Sequence, residues 1–266
     1  MLTPLAMRLY LINLDRRPDR LAAMTAQAQG LGLALTRIAA VDGGATDPAD
    51  LDRWFAPSGP LGEIPRGDKA CFLSHRRAWQ AFLATGDAHA VILEDDVRLS
   101  PTAPALLVSD AWVPADAGLV KLEHYGPQGQ RVLLTDFRKV GEDFRLARML
   151  SRHTGAAAYL IGRAAAQLLL EQTRFDLPVD HLMFNPNNSK LFARLAPWQL
   201  LPAIARQQAF VGEKSDIEGT RRPLRKFSLT YARRELVRFG YDLRLVPRQL
   251  AALAGGAKFT AIRSAG

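Results

Sequence analysis

Short apolar runs that end in polar clusters recur along the body of the chain, and helical periodicity fills the intervals between them. Tyr10-Leu11-Ile12 predicts a buried strand over 8–13, and Pro18 with Asp19 opens a helix that Gly30 closes. A second strand is expected over 34–39. Val41-Asp42-Gly43-Gly44 then turns the chain into an irregular stretch rich in Gly, Pro and Asp that reaches Gly67. Asp68 is expected to cap a helix over 68–85, which Gly86 stops. The clearest strand is 88–93, a compact apolar run ending in Glu94-Asp95-Asp96. A short helix is expected among Pro101, Pro104 and Pro114. Further strands are expected over 118–122, 130–134 and 156–161, the last feeding a helix over 163–172. Strands alternating with helices predict an α/β sheet layered between helices.

The end of the chain follows another pattern. Leu229, Ala232, Leu236, Phe239 and Leu243 recur at spacings of three and four, which makes one apolar stripe on a helix. Gly240 and Pro247 are expected to weaken or break it. Charge follows the same division. Residues 220–266 hold 11 Lys/Arg against Glu235 and Asp242, while the first 219 residues balance at 24 basic and 24 acidic side chains. The net charge of +9 therefore belongs to the tail and predicts an anionic partner for it. The face of an anionic membrane fits best. Nucleic acid is disfavoured, because it calls for a basic groove with stacking aromatics, and several of Phe227, Tyr231, Phe239 and Tyr241 serve the apolar stripe. The expected organisation is a body over 1–219 and a basic helical tail over 220–266.

Composition narrows the setting. With 48% hydrophobic residues among 266, the chain can bury a sizeable core. The one cysteine, Cys71, excludes an intrachain disulfide and fits a reducing compartment. No run reaches the roughly 18–20 apolar residues of a membrane span. No stretch near the start reads as a secretory signal, so a cytoplasmic location is expected, with peripheral attachment to the inner membrane face through the tail.

Four stretches carry candidate chemistry. Val91-Ile92-Leu93 delivers Glu94, Asp95 and Asp96 to the carboxyl end of a strand, where open α/β sheets place ligands. Alternate side chains of an extended chain point the same way, so Glu94 and Asp96 can converge on a hard cation such as Mg²⁺ or Mn²⁺. Three carboxylates at one strand end repel each other unless a cation or base is near, which favours a site over a solvated acidic turn. A phosphatase of the haloacid dehalogenase type does not fit, because Asp95-Asp96-Val97 lacks its spacing. Asn13 to Arg20, with Asp15, Arg16 and Arg17, is a strand end running into a helix start, suited to holding phosphate or to a salt-bridged cap. In Cys71-Phe72-Leu73-Ser74-His75, Ser74 and His75 are helix neighbours that do not face each other, so they are not a nucleophile and its base. In Pro178-Val179-Asp180-His181, Asp180 is a candidate general base and His181 a candidate metal or phosphate ligand. Glu123, after Val120-Lys121-Leu122, is a rival base.

In order and spacing, these stretches resemble the family 25 glycosyltransferases, a lipooligosaccharide and lipopolysaccharide biosynthesis group that includes β-galactosyltransferases. The matching pieces run from Tyr10-Leu11-Ile12-Asn13-Leu14-Asp15 through Ala40-Val41-Asp42-Gly43, Cys71-Phe72-Leu73-Ser74-His75, Ile92-Leu93-Glu94-Asp95-Asp96-Val97 and 155–161 to Pro178-Val179-Asp180, with a last echo at Ser215-Asp216-Ile217. The resemblance implies a GT-A-like (Rossmann-like) fold, a UDP-sugar donor, typically UDP-galactose, and a Mn²⁺ or Mg²⁺ ion. It implies a glycan or lipid-linked oligosaccharide acceptor. It places Glu94 and Asp96 at the metal and diphosphate, Asn13 and Arg20 near the donor, and Asp180 as base or metal partner of an inverting transfer. From the stretches themselves, Asp15, Arg16, Ser74, His75, Glu94 and Asp95 are further donor-side candidates, His181 a further metal candidate and Glu123 the rival base. The chain departs from the family where Gly-Glu-Ile-Gly is common and Gly67-Asp68-Lys69-Ala70 stands instead. That departure motivates the alternative of a degenerate member that binds a glycan or a partner without catalysis.

Overall fold

The computed structural model describes residues 7–126, 130–207 and 229–265, with backbone alone at 229–239, 241 and 242. The chain opens with β1 (Arg8–Asn13), α1 (Pro18–Gly30) and β2 (Leu35–Ala39), then α2 (Pro48–Asp52) and α3 (Arg66–Leu83). Next come β3 (His89–Glu94), β4 (Val97–Leu99), α4 (Ala103–Leu107), β5 (Leu119–Lys121) and β6 (Glu123–His124). The hairpin β7 (Arg131–Val140) and β8 (Phe144–Met149) precedes β9 (Ala158–Gly162), α5 (Arg163–Leu170), α6 (Val179–Phe184) and α7 (Phe192–Leu195). The last elements are β10 (Pro197–Leu201), β11 (Ala205–Gln207), α8 (Leu229–Ala254) and β12 (Lys258–Ala261).

Among the described residues, nine strands form one mixed sheet in the order β2-β1-β3-β9-β5-β10-β8-β7-β12. β1 runs parallel to both β2 and β3, and β9 lies antiparallel between β3 and β5. Helices cover both faces, so Ala90, Val91, Ile92 and Leu93 of β3 are all fully buried. Side-chain alternation sorts the core into two halves. Tyr10, Ile92 and Tyr159 pack with Phe72, Trp79 and Phe82 of α3. Leu9, Leu11, Val91 and Leu93 pack with Met24 and Ala28 of α1 and Leu106 of α4. A second sheet, β4-β11-β6, stands beside the carboxyl ends of β3 and β5.

The expected α/β architecture is present, with differences of physical origin. α3 begins at Arg66 with Pro65 at its cap, because the fixed φ of proline suits a helix entry; Asp68 is instead buried in the first turn. The expected strand over 130–134 runs on to Val140 and turns at Gly141 (φ 59°) into β8, where Arg145 and Arg148 on the outer positions dilute the apolar signal. The helical tail pattern is α8, whose backbone continues through Gly240 and Pro247 rather than breaking there. Beyond it β12 adds antiparallel to β7, and Ile262 is fully buried in the main core. The end of the chain is thus part of the body's sheet, while the expected boundary at 219/220 lies outside the described residues. Among the described residues no helix is long and apolar enough to cross a membrane.

Ile262→Ala should cost about 2–4 kcal/mol in chemical denaturation, the price of a cavity in a closed core. A loss under about 0.5 kcal/mol, usual for a solvated tail, would show that residues 258–262 do not dock.

Candidate active site

Parallel pairing of β1 with β3 sets Ile12 opposite Glu94, so the acids at the end of β3 meet the loop that leaves β1. Asn13, almost fully buried, donates through Nδ2 to Asp95 Oδ2 at 2.7 Å and to the Arg17 carbonyl at 3.0 Å. Arg20 on α1 reaches Asp95 Oδ1 at 3.1 Å, with both side chains about nine-tenths buried. Asp95 is therefore a strut joining two strand ends. Burial still pushes its carboxyl up, against the lowering effect of Asn13 and Arg20. Arg37 donates to Asn13 Oδ1 at 3.1 Å and pairs with Asp15, which is exposed.

Glu94 is held by α3. His75 and Cys71 are one turn apart on the helix, and both face the strand end. His75 Nε2 lies 3.1 Å from Glu94 Oε1, its Nδ1 lies 2.9 Å from the Tyr159 hydroxyl, and Trp79 Nε1 lies 2.7 Å from the same hydroxyl. An indole nitrogen only donates, so Tyr159 accepts from Trp79 and has its own proton for His75 Nδ1. That leaves the proton of His75 on Nε2, donated to Glu94. Burial pushes the Tyr159 phenol well above its ordinary range, which keeps that donor protonated. The Cys71 thiol is 3.8 Å from Glu94 Oε1, and burial followed by the Glu94 charge pushes it up as well. Donor atoms of Cys71, His75 and Glu94 lie within 4.8 Å of one another. Both ring nitrogens are engaged and the thiol is kept protonated, so the trio works as a hydrogen-bond clamp on Glu94 rather than a thiolate metal cage.

Asp96 is different. It is 8% exposed, and its Oδ1 is buried with no hydrogen-bond partner. Burial, then repulsion from Glu94, raises its carboxyl to about 7. An acceptor oxygen in that state calls for a proton or a cation, and two hard carboxylates suit Mg²⁺ or Mn²⁺.

Glu123 and Lys121 form an enclosed pair 2.6 Å apart, both at 0% exposure. Burial drives Lys121 down and Glu123 up to about 7, against their mutual attraction. Glu123 Oε1 also accepts from the Ala157 N–H at 3.0 Å, and Lys121 donates to the Gly155 carbonyl. Gly155 has φ 89°, and a Cβ there would sit 2.7 Å from the Tyr125 ring and 2.9 Å from Glu123, so only glycine fits. Its N–H donates to Asp180 Oδ2 at 3.1 Å. Asp180 is half-buried and opens α6. His181 Nδ1 lies 2.8 Å from Asn185 Nδ2.

A cavity of about 270 Å³ brings together Arg16, Arg20, Ser74, His75, Glu94, Asp95 and Asp96. Of the other residues expected at the site, Asn13, Asp15, Glu123, Asp180 and His181 do not line it. Asn13 is spent behind it on Asp95, and Asp15 faces solvent. Glu123, expected as a rival base, is fully buried against Lys121. His181 is no neighbour of the Cys71–His75–Glu94 cluster. Ser74 lines the cavity, but its hydroxyl donates to the Ala70 carbonyl and accepts from the Val41 N–H, both at 2.8 Å, so it pins the loop to α3. Asp42 also lines the cavity, bonded to Arg16 at 2.7 Å, and Gln207 of β11 joins from a distant part of the chain. Tyr159 and Lys121 escaped the pattern reading. The available signal was a polar side chain in the middle of an apolar strand. The departure at Ala70 is absorbed by glycine, since a Cβ on Gly43 would stand 3.1 Å from that of Ala70.

A mixed sheet flanked by helices, with acids and arginines gathered in a pocket at its strand ends, is consistent with a Rossmann-like α/β fold. Residues 6–183 match the model of glycosyltransferase family 25, described as LPS biosynthesis protein, and the chain belongs to that family. It is 34% identical over 160 residues to the lacto-N-neotetraose biosynthesis glycosyltransferase LgtB of Neisseria meningitidis, covering 53% of each chain. It is 26% identical over 168 residues to the lipooligosaccharide biosynthesis protein lic2B of Haemophilus influenzae, covering 58% of this chain and 59% of the relative. A glycosyltransferase 25 family member of Aedes aegypti is 29% identical over 235 residues, 80% of this chain and 37% of the relative. The chain thus spans about half, or less, of the length of these relatives.

The raised carboxyl of Asp96 fixes a sign for stability. Between the ordinary value of about 4 and the folded value of about 7, the native state holds a proton that the unfolded state has lost, so this group lowers stability as pH rises through that window. Asp96→Asn should therefore be more stable than the parent by about 1–3 kcal/mol at pH 8, and the gain should vanish near pH 4. Denaturation curves at both pH values measure it; a pH-independent difference would refute the assignment.

Proposed function

We propose that the chain is an inverting glycosyltransferase that moves a sugar, galactose foremost, from a UDP-sugar to a hydroxyl of a glycan or lipid-linked oligosaccharide. We read its body, residues 1–219, as a GT-A-like domain. The observation that carries this is the cavity at the carboxyl ends of β1 and β3, where Glu94 and the unpartnered Asp96 oxygen stand beside Arg16 and Arg20. Family membership and the printed names of the relatives support the same reading.

Glu94 and Asp96 would hold Mn²⁺ or Mg²⁺, which when bound offsets charge developing on the diphosphate leaving group. His75, oriented by Tyr159 and Trp79, sets the direction of Glu94. Arg16 and Arg20 favour an anionic donor at the cavity. Asp180 is the better of the two candidate bases, because it reaches solvent and Glu123 does not. It accepts the proton of the acceptor hydroxyl as that oxygen bonds to the anomeric carbon and the bond to the diphosphate breaks. The Gly155 N–H holds the Asp180 carboxylate in place.

UDP release from UDP-galactose with Mn²⁺ should fall at least about a hundredfold on chelation and in Asp96→Ala. Asp180→Asn should lower kcat by about 10²–10⁴ while UDP binding by calorimetry is unchanged. Unchanged turnover in Asp96→Ala would remove the metal assignment. A chain that ignores every nucleotide sugar yet binds glycans would be a binding module instead.

We place the protein in the cytoplasm, with its basic tail on an anionic membrane face. Leu243, Val246, Leu250 and Leu253 of α8 are exposed at spacings of three and four, an apolar stripe accompanied by Arg244 and Arg248. Cosedimentation should be strong with anionic vesicles and weak with neutral ones, and should fall with salt; equal binding to both would defeat the electrostatic part.

A further inference from the structure

The small sheet has two unlike faces. Val97, Leu99, Ala205 and Glu123 are buried on one. On the other, Arg98 of β4 lies directly opposite Arg206 of β11, and Arg206 lies opposite His124 of β6. Like charges set opposite one another across strands are destabilising, so such a row needs compensation. Among the described residues neither Arg98 nor Arg206 has a carboxylate partner.

Arg98 and Arg206 line a cavity of about 600 Å³, with Gln27, Ser100 and Ser264 and, among the described residues, no acidic side chain. Gln27 clamps β4 in place, donating to the Val97 carbonyl at 3.1 Å and accepting from the Leu99 N–H at 2.8 Å. The end of α1 at Gly30 and Leu31 also lines this cavity. Its dipole brings about half a negative charge, which two guanidinium groups exceed. His124 is held below its ordinary range by burial and then by Arg206. The donor cavity takes a different residue of β11, Gln207, so one strand contributes to both cavities.

We propose that this outer face is a second ligand site, in which Arg98 and Arg206 bind the phosphate or carboxylate of a sugar-sized anion, with His124, beside Arg206 in register but outside the cavity lining, as the reporter. Paired guanidinium groups match the oxygens of such a group, and the cavity volume falls in the range of small-ligand sites, larger than a bare phosphate requires. The site is independent of the reading of Glu94 and Asp96. A soluble sugar phosphate and a lipid headgroup share this chemistry.

The test follows the His124 imidazole resonance, assigned with His124→Gln, as the full chain is titrated with glucose 1-phosphate, inorganic phosphate, glucose or chloride. A saturable shift with both phosphates and none with glucose or chloride is expected. Affinity should fall about tenfold or more in Arg206→Gln and in Arg98→Gln, while UDP binding is kept. Phosphatidylglycerol vesicles are then added. Displacement of the sugar phosphate identifies a headgroup as an occupant, and no displacement identifies a soluble ligand; both sustain the site. An absent shift, an equal shift with chloride, or undiminished affinity in the Arg98→Gln/Arg206→Gln double variant overturns it.

Discussion

The bond from His75 to Glu94 ties the strand end to the helix that covers it. β3 brings Glu94 out of a run of fully buried residues, and α3 meets it with an imidazole that is itself fully enclosed. Because Trp79 can only donate, the polarity of the chain Trp79–Tyr159–His75–Glu94 is set from its far end. Each member satisfies the next, so a polar line crosses the densest part of the core without leaving an unpaired group along it. The helix, the central strands β3 and β9, and the rim of the cavity are thereby held in one arrangement.

The same edge of the sheet gathers more negative charge than it neutralises. Asp95 is braced by Asn13 and Arg20, and Glu123 by Lys121 and the Ala157 N–H. Asp96 Oδ1, and likewise Glu123 Oε2, is buried with no hydrogen-bond partner. Burial raises both Asp96 and Glu123 to about 7. The contrast among three adjacent acids is informative: one is clamped, one braced, and one held ready for a cation or a proton.

Two cavities of unlike polar chemistry meet at the small sheet. One joins acids with arginines at the ends of β1 and β3, and the other, among the described residues, carries basic and neutral groups. Strand β11 serves both, because successive side chains on an extended backbone point opposite ways. The end of the chain contributes to the second cavity through Ser264 and to the main sheet through β12. Body and tail are in this way one folded object at their far end, whatever their difference in charge.

Local pattern was enough for the elements with strong punctuation: β1, α1, β3, β9 and α5 begin and end within about two residues of where apolar runs, prolines and glycines put them. It also identified the acids at the end of β3 and the family, since motif order is a linear property. Spacing could not reveal β8, β10 or β12, whose short or charged sequences become strands only because partners stand ready beside them. Nor could it rank the carboxylates. Glu123 and Asp180 look alike as letters, yet one is sealed against Lys121 while the other reaches solvent on a glycine N–H. Burial and hydrogen-bond partners are set by residues more than eighty positions away, as Tyr159 is from His75, and only the folded chain decides them.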